Sequence, residues 1–240
     1  TLGAASQDVT TGSGAVVIDT GSIADITDAA LDGSSSTSLT INVAADTDIS
    51  DAIITGDLGT QDANYTIDVA GNADAITMTI AQHALLGTVT DGGDATITLS
   101  DAGTVTGNAS IGTYVLATAG GTTFTLGSDT QSVTTGTAGA DTIDVGTRTA
   151  TGTFTTIAAD TIKLDTGADV KGVDSGAGAG GAFTANNLSL VSGASVTMTA
   201  AQNNSFSGTI TAAGSETITL SDANAATGLA NIEAYTLANG

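Results

Sequence analysis

The sequence predicts an all-β fold: a parallel β-helix (β-solenoid) with coils of about 20 residues. Three observations carry this reading. The chain repeats internally, its apolar residues fall in short alternating runs closed by turn formers, and like residues recur at a constant step of 19. Tandem β-sandwich repeats are the alternative architecture. Sandwich cores usually carry larger aromatics, and a 19-residue ladder has no natural place in them.

The repetition centres on Thr96-Ile97-Thr98-Leu99-Ser100-Asp101-Ala102, which returns as Thr217-Ile218-Thr219-Leu220-Ser221-Asp222-Ala223. Met78-Thr79-Ile80-Ala81-Gln82 returns as Met198-Thr199-Ala200-Ala201-Gln202, and Tyr114-Val115-Leu116-Ala117 as Tyr235-Thr236-Leu237-Ala238. Thr1-Leu2-Gly3, Gln7 and Val9-Thr10-Thr11-Gly12 match Thr125-Leu126-Gly127, Gln131 and Val133-Thr134-Thr135-Gly136. Residues 1–124 are thus one repeat copy and 125–240 a second, read as one continuous solenoid. The phase of the repeat is that expected of a mature or excised piece of a longer chain.

Strands are read at Val16-Val17-Ile18, Leu39-Thr40-Ile41-Asn42-Val43, Thr66-Ile67-Asp68-Val69, Ile76-Thr77-Met78-Thr79-Ile80 and Thr88-Val89-Thr90. Each ends in Gly, Asp, Asn or Ser, which turn a chain. Ile, Leu and Val face inward, and Thr, Asp or Asn faces outward. Helical periodicity is poor. Thr123-Phe124-Thr125-Leu126, Thr142-Ile143-Asp144-Val145 and Thr161-Ile162-Lys163-Leu164 follow at steps of 19; Ile97 to Leu116 and Ile218 to Leu237 are also 19 apart. Ile41 to Ile67 is 26, a coil with a longer loop. Gly172 to Gly181 reads as a flexible loop or loose turn between coils, and Ser34-Ser35-Ser36 as a smaller one.

Composition bounds the function. Acidic residues number 25 against 3 basic ones, a formal charge of −22. Such a field repels nucleic acid and anionic membranes, and it favours solubility and divalent cations. Apolar residues make up 40 % of the chain, enough for a thin continuous core and too many for disorder. Aromatics are 3 %, so a large core built on rings is not expected. There is no Cys, so stability comes without disulfides, and no run has the length of a membrane span.

Sites of chemistry are sparse. His83 is the only histidine, its repeat counterpart is Asn203, and it is read as an exposed turn residue without the partners a zinc site needs. Paired Asp could serve a solenoid hydrolase or lyase. Lyases acting on acidic sugars, however, use Arg or Lys beside the substrate charge, and the chain has almost none. The Gly-rich loops lack the helix start and Lys of a phosphate cradle. Thr ladders suit ice binding only on a flat uncharged face, and here Asp, Lys, Asn and Ser interrupt them. Calcium is the better case, since carboxylates and turn carbonyls are hard oxygen ligands. The candidate pairs are Asp141 with Asp144, Asp91 with Asp94, and Asp46 with Asp48. The other reading of such Asp residues is that they form turns and keep the surface soluble.

Thr137 to Val145 resembles one degenerate unit of the RTX nonapeptide, matching at Gly139, Asp141 and Ile143 and departing at the leading Gly pair. With the Tyr-x-Leu-Ala signatures at 114 and 235 and the acidic Thr/Ala/Gly composition, the chain resembles the tandem-repeat regions of large secreted bacterial surface proteins: RTX-like type I-secreted adhesins and S-layer or matrix proteins. The resemblance implies a place outside the cell or on a bacterial surface. It also implies a role in coating, cell contact or biofilm matrix, often with calcium, and no catalytic residues. The expectation is a structural repeat that self-associates into a layer or filament. The alternatives are a calcium-stiffened spacer of an adhesin and, last, a polysaccharide-active enzyme.

Overall fold

A computed structural model describes residues 1–32, 38–43, 46–55, 65–69, 75–85, 88–90, 95–176, 178–185 and 187–238. The predicted strand 88–90 is described by its backbone pairing, while Ser34 to Ser36, Asp91 and Asp94 lie outside the described residues. The fold is a β-solenoid of coils of about 21 residues. Every named strand pair is parallel. Parallel pairing excludes the sandwich alternative, whose sheets are antiparallel.

The chain divides into two compact units, residues 1–101 with 110–113, and 102–109 with 114–240. In the first, Val9–Thr10, Ala30–Asp32 and Ile53–Thr55 stack as one sheet, and Ala15–Asp19, Ser38–Val43, Tyr65–Val69 and Thr88–Thr90 as another. Thr47–Asp48, Ala75–Met78 and Thr96–Leu99 stack as a third group. Ile41 pairs with Ile67, so the 26-residue step is one coil. The inward residues Ile18, Leu31, Leu39, Ile41, Ile76 and Ile97 are buried.

In the second unit, Thr104–Thr106, Thr123–Thr125, Thr142–Gly146, Thr161–Leu164, Asn187–Leu190 and Ile210–Thr211 form a six-stranded sheet in sequence order. Thr104, Thr123, Thr142 and Thr161 are successive partners at the predicted step of 19. Inside, Val105, Phe124, Ile143, Ile162 and Leu188 form one buried ladder. A second group pairs Ser195–Met198, Thr217–Leu220 and Ala234–Thr236. Here the expected step is corrected. Ile218 pairs with Tyr235, 17 residues on, and Leu237 is 67 % exposed. The shorter coil brings the tyrosine into register instead of the leucine.

All four Phe are buried in the second unit. Phe124 lies 4.7 Å from Tyr114, and Phe183 lies between Phe154 and Phe206 at 6.4 and 5.6 Å between ring centroids. Rings are few, but they fill the solenoid interior where small aliphatics leave room. Burial of each contributes about 1.5–3 kcal/mol.

Two short helices, Ile80–His83 (α1) and Ala200–Ser205 (α2), occupy equivalent corners of the two repeats. Thr79 and Thr199 cap them, each in a reciprocal box with the Gln three residues on. The Gln82 side-chain amide then donates to the carbonyls of Ile49 and Ala52 at 2.7 and 2.8 Å, and Gln202 to that of Val170 at 2.7 Å. Each helix is thereby bonded to an earlier coil of its own unit.

Candidate functional site

The polar groups that the fold organises most tightly are carboxylates at the corner just before a strand. Asp141, Asp160 and Glu216 each precede a Thr-Ile pair, in Asp141-Thr142-Ile143, Asp160-Thr161-Ile162 and Glu216-Thr217-Ile218. Alternation along the strand gives the acid the same inward side as the buried apolar residue two positions on. All three acids are buried.

A buried carboxylate needs donors around it. Asp141 Oδ1 accepts from the Thr122 N–H of the preceding coil and Oδ2 from Gly136 N–H of its own, both at 2.8 Å. Asp160 repeats the arrangement one coil later. Its Oδ1 accepts from Asp141 N–H at 2.8 Å, and its Oδ2 from Ile157 N–H at 2.7 Å and the Thr135 hydroxyl at 2.6 Å. Glu216 accepts from Ala213, Gly214 and Ser215 in its own turn and from Gly193 one coil back. Its own N–H donates to Glu233 Oε2 at 3.1 Å. These donors, Ser215 N–H foremost, hold the Glu216 carboxyl down at about 2 against the opposing effect of burial.

Corners nearer the surface, three exposed and that of Asp222 half-buried, use the same device. Asp8 accepts from Ala30 N–H, Asp46 from Ala75 N–H, Asp101 from Ile80 N–H and Asp222 from Ala200 N–H. Asp101 and Asp222 are repeat counterparts and receive the first N–H of α1 and α2 respectively. In each case one carboxylate joins two coils through a backbone amide.

The predicted metal residues fall as follows. Asp141 and Asp144 lie on opposite sides of one strand, Asp141 inward and Asp144 outward. Asp144 accepts from Gly146 N–H at 3.0 Å and pairs with the Lys163 ammonium at 2.5 Å. Asp144 raises the Lys163 pKa, chiefly through that hydrogen bond. Asp46 and Asp48 flank buried Thr47, and Asp48 accepts from Ser50 N–H at 2.8 Å. A backbone bridge joins Asp48 to Asp25 of the preceding coil. Among the described residues no group of three or more His, Cys, Asp or Glu converges as metal ligands would.

The three bases are each matched to an acid: Arg148 to Asp129 at 3.5 Å, Lys163 to Asp144, and Lys171 to Asp169. Arg148 Nε also donates to Leu126 carbonyl at 2.9 Å. An open groove beside it is lined by Thr125, Leu126, Val145, Thr147 and Arg148, with Asp165 as its acid. Asp165 Oδ1 is buried there with no hydrogen-bond partner among the described residues.

His83 departs from the exposed turn residue expected of it. It closes α1, is 6 % exposed, and burial lowers its pKa. Its counterpart Asn203 is also buried, donating to Thr227 carbonyl at 2.8 Å and accepting from the Tyr235 hydroxyl at 3.2 Å. Within the Gly-rich stretch the described residues form a turn between coils, the second of the two expectations, and Ala177 lies outside the described residues. Asp174 Oδ1 gathers the N–H groups of Gly176 and Gly178, and Gly180 N–H donates to Val173 carbonyl at 2.8 Å.

Sequence reasoning missed Asp160, Glu216 and the two capping glutamines. The signals were an acid directly before Thr-Ile, and Thr-x-x-Gln at 79 and 199. No protein-family model, curated protein or solved structure matches the chain.

Proposed function

We propose that this chain is a structural repeat protein of the bacterial exterior, self-associating into a layer, filament or matrix. The observation that supports it is the use made of its acids. Buried carboxylates that could have met in a cleft are instead spent coil by coil on the amides of neighbouring coils. Their oxygens already accept hydrogen bonds from N–H groups, which suits a scaffold better than acid–base chemistry. In this reading the chain carries out no catalytic step and binds no nucleic acid.

Calcium enters as a bridge. The outward acids, such as Asp25, Asp46 and Asp48, set like charges on adjacent coils, and a divalent cation between two chains relieves that repulsion. Among the described residues no helix is long and apolar enough to cross a membrane, and the reading places the chain on a surface.

The experiment is light scattering of the purified chain during calcium titration and then chelation. Reversible growth into large ordered particles is the expected result. A monomer that only gains heat stability with calcium would favour the adhesin spacer. A monomer indifferent to calcium would remove the metal from the proposal.

A further inference from the structure

Asp165 is the exception among the acids of the second unit. Every other one accepts a hydrogen bond from an N–H group or a cation. Asp165 accepts none among the described residues, although its Oδ1 is buried. A buried acceptor left without a donor calls for a partner from outside the chain.

The groove that Asp165 lines is produced by the strand Thr142–Gly146. Its pairing with Thr161–Leu164 shifts register between Asp144 and Gly146, so Val145 is an extra residue. Such a bulge bends the strand and re-aims the residues that follow. Gly146 is left-handed at φ +61°, yet a Cβ there would meet nothing within 4 Å. The turn requires this glycine, not crowding by another coil. Beyond the turn, Thr147 and Arg148 reach the groove. The Gly146 carbonyl accepts from Asp165 N–H at 2.9 Å and fixes the acid's backbone beside them.

The charges in this groove are placed but not spent on each other. Arg148 Nε is anchored on the Leu126 carbonyl at 2.9 Å, and Nη1 reaches Asp129 at 3.5 Å. Nη2 has no acceptor among the described residues. Arg148 and Asp165 line one groove and form no ion pair with each other. The Lys163 ammonium is bonded to Asp144 instead of Asp165. Thr106 and Thr125, register partners on adjacent strands, add hydroxyl and methyl groups to the lining.

We infer that this groove binds a neutral saccharide chain. An anionic ligand would meet Asp165 and the field of a chain of charge −22. A metal ion or ammonium would meet Arg148. The two groove charges sum to zero, and they demand a ligand that both donates and accepts. Sugar hydroxyls do both. Vicinal hydroxyls donate to the Asp165 carboxylate, and a neighbouring sugar oxygen accepts from Arg148 Nη2. The C–H face of the sugar rests on the apolar part of the lining, Leu126, Val145 and the threonine methyls. The groove holds about 380 Å³, within the span of about 300–1,000 Å³ usual for small-ligand sites. This adds a ligand to the proposed extracellular repeat and needs no contact between copies.

The test is isothermal titration calorimetry of the 240-residue chain with neutral hexasaccharides of glucose, mannose and galactose. At least one should bind with a Kd of about 1 mM or tighter. Hexagalacturonate should bind about tenfold or more weaker than that one. Asp165→Asn and Arg148→Gln should each weaken binding about tenfold or more, while Asp169→Asn, outside the groove, should leave it unchanged. Melting separates a site from a scaffold. Asp165→Asn should keep or raise the melting temperature, because it removes a charge that no group in the chain bonds. A drop as large as that of Asp160→Asn would make Asp165 structural and overturn the proposal. Binding of trilysine with no neutral sugar bound would make the groove a cation site and overturn it too. So would the absence of heat from all three neutral sugars at about 10 mM, which leaves Asp165 to water.

Discussion

The backbone N–H of Asp141 donates to Oδ1 of Asp160 at 2.8 Å, so one buried carboxylate holds the residue that bears the other. Asp141 in turn holds Thr122. The three residues lie 19 apart and form a polar column beside the apolar ladder. Each of the two carboxylates accepts the amide of the residue 19 positions earlier.

Asp160→Ala strands the buried Asp141 amide and the part-buried Ile157 amide, and leaves the Thr135 hydroxyl with only its longer bond to the Thr155 carbonyl, at 3.3 Å. Unsatisfied buried groups cost about 1–3 kcal/mol each. A loss of about 3 kcal/mol or more is expected in urea unfolding, and Asp160→Asn should recover part of it. A loss under about 0.5 kcal/mol would mean that water replaces the carboxylate without penalty.

Glu216 makes stability depend on acid. Its pKa falls from 4.5 to about 2 in the folded chain, so the unfolded chain takes up the proton first. The stabilisation is complete above the unfolded value and disappears as pH falls from about 4.5 towards 2. Glu216→Gln should therefore melt below the unaltered chain at pH 6, and the gap should narrow by pH 2. Parallel melting curves across that window would refute the assignment.

Gly152→Ala should be severe for so small a change. The added Cβ would lie 1.8 Å from the Gln131 carbonyl oxygen, a backbone atom that cannot turn aside. Overpacking of this kind costs about 1–3 kcal/mol or more. Gly146→Ala makes the comparison, since its Cβ meets nothing and only the positive φ opposes it. Gly152→Ala should lower the melting temperature by more than Gly146→Ala; the reverse order would mean that the coils separate freely.

Burial lowers the His83 pKa below its ordinary 6.5, so the unfolded chain is protonated first and stability is lost as pH falls through that value. His83→Asn installs the residue the other repeat already uses. It should flatten the change in melting temperature between pH 7.5 and pH 5. If the slope stays as steep, the titrating group lies elsewhere.

The register of the coils was legible because it depends on residues repeated at one spacing. The Thr ladder through 104, 123, 142 and 161 and the longer Ile41–Ile67 coil both follow from counting. Counting misled at Leu237, where a 17-residue coil puts Tyr235 opposite Ile218. α1 and α2 were not legible from periodicity, because elements of 4 and 6 residues are too short to show a 3.6-residue pattern. Their capping boxes were the available sign. The opposite facing of Asp141 and Asp144 follows from strand parity, since Asp141 is two residues from inward Ile143 and Asp144 one. What parity cannot supply is the donor set. Thr122 N–H reaches Asp141 only because another coil stacks there.

Parallel stacking of coils in the second unit also sets how it would respond to force. A pull along the stacking direction loads the strands of one coil at a time, in the manner of a zip. Each coil of 19 residues would release about 65 Å of chain as it peels away. The coil from Thr161 to Asn187, with its 26 residues and the turn gathered by Asp174, would release about 90 Å. Extension would therefore proceed in discrete lengths that read out the spacing of the coils.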